Sequence, residues 1–209
     1  MPTRTGSYGG SGSPYSAAMT REQFLFYEMR TTARLLAGGD SAEEAVRRIV
    51  EENLFQYPTE RSLRHMARTC IKRLASLGDE MLVEALATEP FDTAKQIALY
   101  AMMKSYALVW AFMTDIIGEK YRTRDFAFSR AELNAFFLRL QDEDAAVAAW
   151  SEQSVAKLKQ VLVKVLVETE YLDSPRAARL NPVWLSPVLA QAIRAHGDTA
   201  ALPAFNCFD

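Results

Sequence analysis

Arg61, Arg64, His65, Arg68 and Lys72 are spaced to fall on one side of a helix, three to four residues per turn. No acid stands among those positions; Glu60 sits just before them. A single-sign row of guanidinium and ammonium groups suits a polyanion, because each group donates charge-assisted hydrogen bonds to phosphate oxygens. A second, sparser set follows: Lys157 and Lys164, seven residues apart, then Arg176 and Arg179. Read without a ligand, either set is a solvated face whose charges pair with acids elsewhere in the fold.

Other chemistries find little support. The two histidines, His65 and His196, have no metal-ligand spacing to cysteine or carboxylate. No glycine-rich phosphate loop follows a strand, and no nucleophile elbow appears. Glu43-Glu44 and Asp142-Glu143-Asp144 stand at helix starts, where acids complement the helix dipole. The reading is therefore a non-enzymatic protein with no catalytic residue, no metal and no cofactor.

The elements that position the two sets are helical. Pro58 and Thr59 start a helix and Gly78 stops it. Leu63, Met66, Cys70, Leu74 and Leu77 form its apolar side, with Arg73 near the boundary. Ahead of it, Thr20 reads as the cap of a helix bearing Phe24, Leu25, Met29, Ala33 and Leu36 and ending at Gly38-Gly39. A second helix carries Val46, Ile49 and Val50, so that residues 40–77 take a helix-turn-helix-like layout with a long connection. A short helix at 79–88 is expected to bury Met81, Leu82 and Leu86.

Residues 92–117 are the most apolar part, and Lys95, Lys104 and Asp115 interrupt them. A membrane span needs about 20 nearly uncharged residues. This segment reads as one central core helix ended by Gly118. Residues 119–130 interleave Lys120, Arg122, Arg124 and Arg130 with aromatics, a pattern that either holds a nucleic-acid backbone or anchors a connection. A helix bearing Leu133, Phe136, Phe137 and Leu140 follows; a short helix over 142–149, a turn at Trp150-Ser151-Glu152-Gln153 and a long helix over 154–171 then form a second helix-turn-helix-like unit. Residues 183–185 suggest a short strand and, with Arg176 and Arg179, a wing.

The expected fold is all-α, with two helix-turn-helix-like, winged-helix-like halves around a central apolar helix. Its divisions are a flexible leader (1–18), an N-terminal domain (19–118), a C-terminal domain (119–196) and a loosely held tail (197–209). Formal charge is -2 over 209 residues, which counts against a dedicated nucleic-acid binder without excluding a local patch. Hydrophobic residues at 49% exclude wholesale disorder. Two distant cysteines, Cys70 and Cys207, form no disulfide framework and point to the cytoplasm. No signal peptide is visible.

Over residues 20–195 the chain resembles the BrxA family of bacterial BREX phage-exclusion systems. The likeness rests on an ordered set: Gly38-Gly39, Arg73-Leu74-Ala75-Ser76-Leu77, the apolar helix around Lys104, Trp150-Ser151-Glu152-Gln153-Ser154 with Lys157-Leu158, and residues 166–172 followed by Leu180-Asn181-Pro182. Two departures stand out. The family pattern has a glycine near Glu170, where this chain reads Thr169-Glu170-Tyr171, and the Gly/Ser-rich leader is foreign to it. The resemblance implies an all-helical accessory likened to the RNA-binding NusB fold and to winged-helix DNA binders. Duplex DNA and other BREX components are the implied partners. A protein-docking subunit without DNA contact and an RNA binder are the alternatives.

Overall fold

The computed structural model describes residues 12–208. Among them, eleven α-helices, a π-helical segment and two 3-10 helices carry the fold, which is all-helical as expected. The N-terminal bundle comprises α1 (Phe26–Ala37), α2 (Ala42–Glu51), α3 (Glu60–Leu77), α4 (Glu80–Thr88) and α5 (Phe91–Ser105). α1 packs on α3 and α4, α2 on α3, and α5 on α3 and α4. Local chemistry sets the starts: Ser41 and Glu44 form a capping box on α2, Thr59 caps α3 and Asp79 caps α4. Residues 52–59, with Asn53 and Gln56 at positive φ, separate α2 from α3, a connection longer than a helix-turn-helix turn.

The expected first helix starts six residues later than Thr20. Ala17–Thr20 form a 3-10 turn capped by Ser16, and residues 21–25 run as an irregular strap between Arg21, in helical conformation, and Leu25, in the left-handed one. The guanidinium of Arg73 explains the strap. It donates to the carbonyls of Phe24 (2.9 Å) and Glu22, occupying acceptors that a helix would use internally. Of the expected flexible leader, residues 1–11 lie outside the described residues. Met19 is fully buried and its turn packs on the long C-terminal helix, so this stretch is tied down.

The expected central helix is two legs. α5 ends at Tyr106, whose extended backbone (φ -131°, ψ 111°) interrupts the helical ladder. The run Ala107–Thr123, made of α6 (Ala107–Ala111), the π segment Phe112–Gly118 and α7 (Glu119–Thr123), leaves at 116° to α5. No single helix among the described residues is long and apolar enough to cross a membrane, although the bent pair is by length and composition. Gly118 does not end the run. It is helical, and a Cβ there would meet the backbone nitrogen of Ala204 at 3.1 Å, so glycine serves close packing.

The C-terminal elements are α8 (Arg130–Glu143), α9 (Ala145–Ala148), α10 (Glu152–Glu168) and α11 (Pro187–Ala195). Residues 119–130 follow the anchoring reading. Lys120 is buried between Asp125 (3.0 Å) and Glu132 (2.7 Å), Arg122 pairs with Glu119, and Tyr121 and Phe128 are in the core. The expected strand at 183–185 is absent. The β pairing among the described residues is one antiparallel bridge, Ala127 with Arg179, so no wing hairpin forms. The C-terminus is not loose either. Thr199–Phe205 form a 3-10 helix that packs against the π segment, with Ala201, Leu202, Ala204 and Phe205 buried; apolar burial outweighs the lack of a long helix. Met81, expected inside, faces solvent, and α4 buries Leu82, Ala85, Leu86 and Ala87 instead.

Candidate nucleic-acid interface

α3 shows how one sequence makes two faces. Leu63, Ala67, Cys70, Leu74 and Leu77 are buried against α1, α2 and α5. Burial pushes the Cys70 thiol up to about 12, despite the opposing positive charge of Arg73, so Cys70 is an inert core residue. Arg61, Arg64, His65, Arg68 and Lys72 are all exposed on the opposite side. Arg61 to Lys72 spans eleven positions, or about 16 Å along the axis at 1.5 Å per residue. Glu60, Arg61, Arg64, His65 and Arg68 line a shallow hollow of about 430 Å³.

The pairing state of these cations separates the two readings of the stripe. Some cations of the fold are matched: Arg48 with Asp40 and Glu52, Lys104 with Asp198, Arg139 with Asp115, Lys120 with Asp125 and Glu132. Arg61, Arg64, Arg68 and Lys72 pair with no carboxylate among the described residues. His65 alone on this face has an acid, Glu22 Oε1 at 3.5 Å from its Nε2. That carboxylate also accepts from the Tyr106 hydroxyl. Glu22 lies 43 positions before His65, and nothing in local spacing signals the contact.

Arg73, expected near the apolar boundary of the helix, lies wholly inside it. It is 1% exposed and forms the floor under the strap, bonding the carbonyls of Glu22 and Phe24 and lying over the Tyr106 ring (5.0 Å). Burial pushes the Tyr106 hydroxyl up to about 12, with Arg73 opposing. Arg73 therefore belongs to the structure of the site and not to its surface.

The second set is more dispersed. Lys157 and Lys164 are exposed on α10. Lys164 is partly matched, by Glu168 at 3.5 Å and by Gln23 Oε1 at 2.7 Å. Arg176 and Arg179 are exposed in the loop after α10, and Arg179 stacks on Phe126 at 5.1 Å. Among the described residues no group of three or more His, Cys, Asp or Glu side chains could hold a metal ion.

Fold and surface together define an all-helical protein that presents one helix face of unmatched positive charge. The chain belongs to the BrxA family of the BREX phage-defence systems: the BrxA family pattern matches residues 13–197. It is 30% identical to a BREX protein BrxA of Bacillus cereus (strain H3081.97), over 88% of this chain and 92% of that one. A BREX protein BrxA of Escherichia coli O9:H4 (strain HS) is 26% identical over 77% of this chain and 75% of its own. A crystal structure of an uncharacterized protein from Magnetospirillum magneticum shares the fold, with a TM-score of 0.78 at 18% identity, covering 92% of this chain and 98% of that one. The glycine expected near Glu170 from the resemblance would suit the backbone found there. Glu170 sits at φ 66°, the left-handed region, and its carboxylate pairs with Lys95.

Proposed function

We propose that this protein is a non-enzymatic DNA-binding accessory of its BREX system, working in the cytoplasm and holding duplex DNA by its phosphates through α3. The observation that carries this reading is the unmatched charge of Arg61, Arg64, Arg68 and Lys72 on one exposed face. These four stand in water on one helix face with no carboxylate partner among the described residues, and a polyanion supplies opposite charge there while releasing counterions. His65 faces the same hollow and adds a polar contact. Lys157, Lys164, Arg176 and Arg179 add phosphate contacts that position the duplex without reading bases.

Salt titration of binding to a mixed-sequence duplex is the test. Each phosphate neutralised contributes about -0.9 to the slope of log affinity against log salt, so the four α3 contacts alone give about -3.6, roughly a 100-fold loss between 50 and 200 mM salt, and the contacts of α10 and its loop steepen it further. A flat salt response, or no binding at low salt, sinks the phosphate-contact reading. Competition by excess RNA that outdoes DNA would convert it to an RNA-binding one.

One observation favours a second reading, a protein-docking subunit for other BREX components. Trp184 is 83% exposed, on a backbone fixed by hydrogen bonds from Gln96 to its carbonyl (2.8 Å) and from Ser186 back to Gln96 (2.9 Å). A rigid exposed tryptophan is typical of protein contact surfaces. Trp184→Ala leaving DNA affinity intact but abolishing co-purification with BREX components would support it.

A further inference from the structure

Residues 21–25 lie between the two cationic helices. Glu22 is bonded from the α3 side, by His65 and by Arg73. The next residue, Gln23, is bonded from the α10 side, by the Lys164 ammonium at 2.7 Å. Consecutive Cα atoms stand about 3.8 Å apart. One short strap therefore touches α3 and α10 at adjoining residues, although Gln23 and Lys164 are 141 positions apart in sequence.

A groove of about 440 Å³ opens along the strap, and Arg21, Gln23, Tyr57, Met66, Lys164 and Glu168 contribute to its lining. The acids that face this groove are engaged. Glu28 accepts from the Tyr57 hydroxyl at 2.6 Å, and Glu168 lies 3.5 Å from Lys164. Arg21 is exposed and, among the described residues, pairs with no carboxylate. The groove also receives the first turn of α1, whose N-cap Leu25 makes no side-chain capping bond, so its amide N–H groups add positive potential there.

We propose that the strap joins the two cationic faces into one continuous phosphate track, and that Arg21 is a DNA-contact residue between α3 and Lys164. This rests on the reading of α3 as a phosphate-binding face. The bound backbone leaves the Arg61–Arg64–Arg68 stripe, passes Arg21 and reaches Lys164. The strap is a rigid part of this track because the guanidinium of the buried Arg73 holds two of its carbonyls from beneath. The Glu22 carboxylate is held by the Tyr106 hydroxyl on one oxygen and lies 3.5 Å from His65 of the stripe on the other.

The full chain is titrated with a 30-bp duplex by fluorescence anisotropy over a salt series, as wild type, Arg21→Ala, Lys164→Ala and the double variant. Arg130→Ala, an exposed cation at the start of α8 and outside the groove, controls for net charge. Arg21→Ala is expected to weaken binding about fivefold and to reduce the salt slope by about one unit, with a second comparable step in the double variant. Arg130→Ala is expected to leave the slope unchanged. Arg21 is exposed, so melting temperatures stay at the wild-type value. The inference is overturned if Arg21→Ala and Lys164→Ala both keep wild-type affinity and slope while replacement of Arg61, Arg64 and Arg68 by Glu removes binding. That pattern would confine DNA to α3 and leave the α3 reading standing. If the wild-type chain shows no salt-dependent binding at all, both readings fall together.

Discussion

α3 and α10 are near twins in local design. α3 has 18 residues and α10 has 17. Each begins at a hydroxyl cap, Thr59 or Ser151, that accepts from an amide three residues on. Each is followed by a left-handed residue, Gly78 at φ 64° and Glu170 at φ 66°. They differ in what they bury and in what they leave unmatched. α10 buries an aliphatic set, Val155, Leu158, Val161, Leu162, Val165 and Leu166, and shows two lysines, one of them beside Glu168. α3 buries Arg73 and Thr69 along with its apolar residues and keeps a full cationic stripe on the outside. A helix with an aliphatic inside is a pillar whose outer face is free to vary. α3 is committed on both faces, inside to the strap and outside to charge.

The largest contrast is between arginines of one helix. Arg73→Ala removes a buried guanidinium that satisfies two carbonyls and leaves a void. It is expected to destabilise the fold by about 3–5 kcal/mol in denaturant titration. A loss under 1 kcal/mol would show that the strap holds without it. The triple change of Arg61, Arg64 and Arg68 to Glu touches no buried group. Its expected result is a loss of DNA affinity of about 100-fold or more with an unchanged helical spectrum and melting temperature. If that variant binds as before, the contact surface lies elsewhere, and α10 becomes the first place to look.

Smaller effects refine the α10 side. Lys157→Ala together with Lys164→Ala is expected to weaken binding severalfold, about equally on unrelated duplexes, and to reduce the salt slope by roughly one to two units. Loss confined to one sequence would mean that α10 reads bases. Glu170→Gly tests the end of α10. Glycine relieves the left-handed strain at φ 66° but loses the pairing with Lys95. The strain costs about 1–2 kcal/mol and an exposed pair is worth less, so a net gain of about 1 kcal/mol is expected in thermal melts. A drop in melting temperature would make the Lys95 contact the larger of the two.

Much of the architecture was legible in the chain. The stripe Arg61, Arg64, His65, Arg68 and Lys72 is exposed as its periodicity predicts, and Thr59 and Gly78 bound its helix at the expected places. These features depend on neighbours within a turn, which sequence spacing records directly. The misses share another cause. Met81 lies on a helix too short for its apolar side to be fixed by periodicity alone. The break at Tyr106 has no proline or glycine to announce it; its hydroxyl meets Glu22 and Arg73 from distant segments. The C-terminal 3-10 helix looks like a tail because its buried residues find their partner surface only where the π segment passes.

What the sequence determined by itself is the set of helices, their caps and which charges face outward, because each is decided by a few adjacent residues. What only the tertiary structure decided is which of those charges meet an opposite one. Arg73 turned inward, and Lys164 came to lie against a strap 141 positions earlier in the chain. The arginines of the α3 stripe were left without carboxylate partners among the described residues. Charge pairing depends on distance in space, and the chain brings its acids to its bases only by folding.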